Sequence, residues 1–135
     1  MSTTVLKATS FGLLLVAAAC FSERSDPVGL VAGLDCSLPL DSLRVGNVGV
    51  IVIRNFQFQP SELRVSPGTK LTWVNCESQA TQNVAHTTTA DGGAWSSPLL
   101  EVGQAYTTTI ATNGTYEYHC TPHPSMRGRI IVSGP

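Results

Sequence analysis

The sequence predicts an all-β domain, a sandwich or barrel of about seven or eight short strands. Three observations carry that expectation. Thr, Val, Gly and Pro are plentiful. Long amphipathic helical patterns are missing, and short β-forming runs recur between turn signals. A chain of 135 residues suffices for one compact domain and not two.

The elements follow in order from Val48. V-G-V-I-V-I-R-N-F-Q-F is β-rich, F-Q-F alternates with period two, and Pro60 breaks the run. Leu63 and Val65 alternate with Glu62 and Arg64, which predicts a half-buried strand. Pro67-Gly68 is a turn signal, and Leu71 to Val74 reads as the next strand. From Asn75 to Pro98 the chain is polar and loop-like, interrupted by a T-T-T run, with a turn at Gly92-Gly93. Leu99 to Ile110 offers one or two strands. Asn113-Gly114 is a tight-turn dipeptide of the hairpin sort. Thr115 to Cys120 and Gly128 to Val132 complete the set.

The N-terminus reads differently. Lys7 is followed by an uncharged apolar run, Phe11 to Ala19, that is too short for a comfortable membrane span. Residues 1–19 are expected to be a secretory signal peptide. The run ends in small residues just before Cys20 and resembles the lipobox of bacterial lipoproteins. Cleavage before Cys20 would then make that cysteine the lipid-bearing N-terminus. The competing reading is an ordinary signal peptide with Cys20 incidental. Residues 20–47 look like a spacer and lead-in, and 48–135 like the folded domain. With Cys20 lipidated and Cys120 given to a metal, Cys36 and Cys76 remain as a pair for a disulfide in an oxidising compartment. The alternative is that both are free and buried. A net charge of −1 argues against general nucleic-acid binding.

The chemistry concentrates in Y-E-Y-H-C-T-P-H-P-S-M-R-G-R-I, residues 116–130. Period-two alternation puts Tyr116, Tyr118 and Cys120 on one face and Glu117 and His119 on the other. His119 is therefore not expected to be a ligand. Cys120, His123 and Met126 remain, spaced C-x2-H-x2-M, with Pro122 and Pro124 stiffening the backbone around His123. His86 is the remaining histidine of the three. Two imidazoles, one thiolate and a weak thioether make the blue-copper set. Zinc is the chemical rival, although structural zinc sites use more thiolates and Met is a poor zinc ligand. A thiol nucleophile is another, with no Asn or Asp in a recognisable orienting context.

At this point the chain resembles the cupredoxins, the small blue copper proteins, and within them the amicyanin and plastocyanin group. The likeness runs from about Val48 to Val132. It includes N-F-Q-F-Q-P-S-E-L-R-V-S-P-G-T-K-L-T-W-V-N, H-T-T-T-A-D-G-G-A-W-S-S and the C-terminal stretch above. It implies a Greek-key β-sandwich with one type 1 copper held by His86, Cys120, His123 and Met126. The short gap between His123 and Met126 looks like amicyanin. Thr87 and Thr121 fall where side chains tie the two ligand loops together, and Asn75 is given no copper role. The loop before His86 is longer than usual for the family and contains Cys76. A Cys36–Cys76 bridge is expected to be structural and distant from the copper.

The resemblance implies a one-electron carrier, copper cycling between Cu(II) and Cu(I), and not an enzyme. Pro122, Pro124 and His123 would form the apolar patch where electrons pass. Arg127 and Arg129 would either favour an acidic partner or be plain solvated charges. The expected partners are a redox donor and acceptor, plus a membrane through lipid on Cys20. The expected state is an exported monomer, periplasmic or at the cell surface. A copper-delivery protein of the envelope is the alternative. Against it, the chain has only two methionines, Met1 and Met126.

Overall fold

A computed structural model describes Cys36, residues 48–78 and residues 84–134. The signal segment, Cys20 and most of the spacer lie outside the described residues. Eight strands form two four-stranded sheets, the all-β sandwich expected. They are β1 (Val48–Arg54), β2 (Gln57–Gln59), β3 (Glu62–Val65), β4 (Lys70–Asn75), β5 (Thr89–Ala90), β6 (Ala105–Thr109), β7 (Gly114–His119) and β8 (Arg127–Val132). The first sheet runs β2-β1-β4-β6 and the second β3-β8-β7-β5.

β1 and β4 are central and pair in parallel, Val48 opposite Lys70 through Ile53 opposite Asn75. Both are consequently buried on two faces. Ile51, Ile53, Leu71 and Trp73 face the space between the sheets. Val52 and Val74 face outward, into a second small cluster with Cys76, Ala105 and Cys36. This explains V-G-V-I-V-I, whose near-continuous apolar run lacks simple alternation. Cys36 and Cys76 are joined by a disulfide with Cα atoms 5.4 Å apart. The bridge sets Cys36 against the outer cluster, and Arg54 donates to the Cys36 carbonyl.

One strand expectation is corrected and another is narrowed. The β-rich run does not continue to Phe58, because a two-residue turn at Asn55-Phe56 folds it into the hairpin β1–β2. Neither residue is Gly or Pro, so the run carried no breaker. The stretch 99–110 holds one strand, β6. Its first part contributes an isolated bridge between Leu100 and His86.

The inner core is aromatic. Tyr118, fully buried on β7, packs against Phe58 at 4.7 Å, Trp73 at 5.6 Å and Trp95 at 5.7 Å between ring centroids. Burial pushes the Tyr118 phenol well above its usual titration range. Cys120 follows two residues later on the same face, so this cluster forms the floor beneath it.

Candidate metal centre

Two segments supply the candidate donors at one end of the sandwich. The first spans 120–126, between β7 and β8. It is a series of tight turns closed by its own backbone. His123 N donates to Cys120 O at 3.1 Å, Met126 N to His123 O at 2.8 Å, and Cys120 N to Met126 O at 3.1 Å. Pro122 and Pro124 sit at exposed positions whose missing N–H groups this pattern does not need. Cys120 and Met126 are buried, and His123 is half-exposed.

The second segment carries His86. Its backbone exchanges two hydrogen bonds with Leu100, His86 N to Leu100 O at 3.1 Å and Leu100 N to His86 O at 2.7 Å. The imidazole is completely buried. Asn75 braces this arrangement, its amide donating to Val84 O at 2.9 Å and Leu100 O at 2.8 Å. Asn75, given no copper role from the sequence, thus positions the segment that carries His86.

The donor atoms converge. Cys120 Sγ lies 3.5 Å from Nδ1 of His86 and 3.5 Å from Nδ1 of His123. One donor atom each from His86, Cys120 and His123 falls within a 4.8 Å cluster. Thr87 N points at the sulfur at 3.4 Å. The Thr87 hydroxyl accepts from Thr121 N at 2.8 Å, tying the two segments together. The Thr121 hydroxyl instead meets Thr89 at the surface, 3.2 Å away. Burial pushes the His86 imidazole below its ordinary pKa. Glu77 pulls the other way, and His123 adds to the lowering. A neutral imidazole is the form that binds metal. Two imidazole nitrogens and one soft sulfur, with a buried thioether in the same segment, fit a single soft ion such as copper.

Two contributors were missed. Glu77 is fully buried, with Oε1 3.3 Å from His86 Nε2. Oε1 also accepts from Phe56 N at 2.6 Å, and Oε2 from Asn55 N at 3.0 Å. The Glu77 N–H donates to Asn75 Oδ1 at 3.0 Å. Nδ1 faces the sulfur, and Nε2, on the far side of the ring, faces this carboxyl group. Such an acid orients a ligating imidazole and raises its basicity. A glutamate in a polar loop reads as solvated, and only its place after Cys76 hints otherwise. Cys76 of the disulfide directly precedes Glu77 in the chain. Phe56 is the other, its ring 5.5 Å from His86 and 5.1 Å from His123, edge-on to both.

The remaining candidates fall outside the cluster. His119 points away from the sulfur, with Nδ1 2.5 Å from Asp91 Oδ1. Arg127 donates to Asp91 Oδ2 at 3.1 Å. The His119 hydrogen bond, assisted by Arg127, holds the Asp91 carboxyl below its usual range. Arg129 pairs with Glu62 at 2.7 Å and Glu117 at 3.7 Å. Both arginines thus pair within the chain while staying exposed.

Comparison with known proteins agrees with this geometry. Residues 47–133 match the family described as copper binding proteins, plastocyanin/azurin family. Amicyanin of Paracoccus denitrificans is 33% identical over 120 residues, covering 85% of this chain and 91% of the relative. Amicyanin-alpha of Methylorubrum extorquens is 34% identical over 84 residues, 61% of this chain and 69% of the relative. A solved structure of an oxidised amicyanin mutant superposes with a TM-score of 0.58 at 31% identity, covering 68% of this chain and 88% of that one. A purple cupredoxin from Nitrosopumilus maritimus gives 0.56 at 26% identity, covering 63% and 99%.

Proposed function

From the premise that the chain belongs to the plastocyanin/azurin family of copper-binding proteins, we propose that it is a one-electron carrier between redox proteins, with His86, Cys120, His123 and Met126 as its copper ligands. It is an amicyanin-like cupredoxin with one type 1 copper. The observation that carries the ligand assignment is the convergence of the His86, Cys120 and His123 donor atoms within 4.8 Å. Met126 completes the set, buried at the end of the segment that carries Cys120 and His123.

When bound, copper supplies a Cu(II)/Cu(I) couple that takes up and releases one electron. The chain holds the donors still around it. The 120–126 turns and the Thr87–Thr121 bond fix Cys120 and His123, while the Leu100 bridge, Asn75 and Glu77 fix His86. Ligands that scarcely move suit both oxidation states. Thr87 N, directed at the sulfur, tunes its electron density. Exposed Pro122 and Pro124 flank the half-exposed His123 and form the contact point for a redox partner. Copper delivery gains no support from the amicyanin relatives, and a buried sulfur flanked by rigid turns suits retention. We also infer export, with Cys20 as a lipid anchor. The sequence motif supports that reading.

The test is addition of Cu(II) to the chain without residues 1–19. An intense blue absorption, from thiolate-to-copper charge transfer, is the expected result, and copper should withstand a strong Cu(I) chelator. A pale product means that Cys120 does not bind Cu(II) in this geometry. Rapid loss to the chelator returns the delivery reading. Replacing Met126→Gln should leave copper bound and lower the reduction potential by more than roughly 59 mV, equivalent to a tenfold change in relative affinity. An unchanged potential, read by voltammetry, counts against Met126 as the axial ligand.

A further inference from the structure

Arg54 and Gln57 face each other across β1–β2, so Asn55 and Phe56 form a two-residue hairpin loop. Both have positive φ, 53° and 55°. Loops of this kind favour Asn followed by Gly. Asn55 conforms. Phe56 does not, because a bulky side chain in the left-handed region is strained. Core burial does not compensate, since Phe56 is 42% exposed.

What the ring touches is the pair of imidazoles. It stands at 83° to His86 and 89° to His123, and the imidazoles themselves are 4.9 Å apart. Edge-to-face packing of this sort is favourable and directional. The backbone converges on the same place, because the Glu77 oxygen that accepts Phe56 N is the one beside His86 Nε2. His86 is completely buried and its backbone is held by Leu100. His123 is half-exposed. Among the described residues the hydrogen-bond and ring-ring contacts of its imidazole are those with Cys120 Sγ, Phe56 and His86.

We propose that Phe56 is a positioning residue of the copper centre: its ring fixes the angle between the two imidazoles and pins His123 at the protein surface. Strain at the turn is the cost of placing an aromatic ring there. The ring also covers the approach to the ion between the imidazoles, where a small outside ligand would otherwise enter. This rests on the copper reading above.

Phe56→Gly separates the role from mere folding, because glycine relaxes the turn while deleting the ring. The copper-free variant is expected to melt at the same or a higher temperature. Its copper form should release metal to a chelator about tenfold faster. Added imidazole should change its visible spectrum while leaving the wild type untouched. Phe56→Tyr keeps the ring and should restore wild-type behaviour. A Phe56→Gly protein that holds copper and excludes imidazole like the wild type overturns the proposal. So does one whose copper-free form melts lower in step with the metal loss, which marks a structural residue. A wild-type chain that gives no blue product overturns the copper reading itself, and needs no variant to be recognised.

Discussion

Glu77→Gln is expected to weaken Cu(II) binding about 10–100-fold and to raise the reduction potential. Glu77 accepts from Phe56 N at Oε1 and from Asn55 N at Oε2, and Oε1 also lies 3.3 Å from His86 Nε2. Glutamine has one acceptor oxygen and an NH2 group. One donor must then face another donor inside the protein, which costs about 1–3 kcal/mol of stability. The second effect is electrostatic. A carboxylate beside the imidazole favours the more positive ion, so neutralising it destabilises Cu(II) more than Cu(I). Each tenfold preferential loss of Cu(II) corresponds to about 59 mV. Voltammetry reads the shift and a Cu(II) competition titration reads the affinity. A potential that stays put or falls would show that Glu77 does not act on the copper-bound imidazole.

Gly128→Ala should be the most damaging single-methyl substitution in the second sheet. Gly128 lies opposite Tyr118 in the β7–β8 register. A Cβ there would land inside the van der Waals radii of Tyr118 Cζ and Oη, and 2.7 Å from Cε1. The ring has nowhere to retreat, boxed in by Phe58, Trp73 and Trp95. Overpacking a rigid core site costs about 3 kcal/mol, which lowers the melting temperature of a domain this size by roughly 10–20 °C. Tyr118 shares its face with Cys120, so displacement should also shift the blue absorption. Gly92→Ala is the control, since a Cβ there meets nothing within 4 Å. Equal melting temperatures for the two variants would show that the Tyr118 ring yields after all.

The readable parts of the chain were those in which one short segment decides the outcome. Alternation in T-Y-E-Y-H-C separated Cys120 from His119, and the structure puts the sulfur inward and His119 against Asp91. The spacing 120–123–126 is local too, so its turns hold the three residues in one segment. His86 stood out because so few histidines compete with it. What stayed hidden depends on partners distant in sequence. Glu77 is buried because the Asn55-Phe56 turn and His86 both come to it, and nothing in C-E-S says so. The turn hid because phenylalanine is not a turn residue. The pairing of Arg129 with Glu62 and Glu117 likewise needs the sheet order β3-β8-β7.

That sheet order bears on when the protein can acquire its metal. β8 begins one residue after Met126 and pairs in parallel with β3, far earlier in the chain. His86 comes from between them and docks through Leu100. Pairings so distant in sequence form late, because loop closure must precede any reward. A nascent or half-folded chain thus has thiol and imidazole groups but no cage, and it is colourless. The assembled ligand geometry is thereby reserved for chains that have completed their topology, so a blue absorption should report folding as well as metal binding.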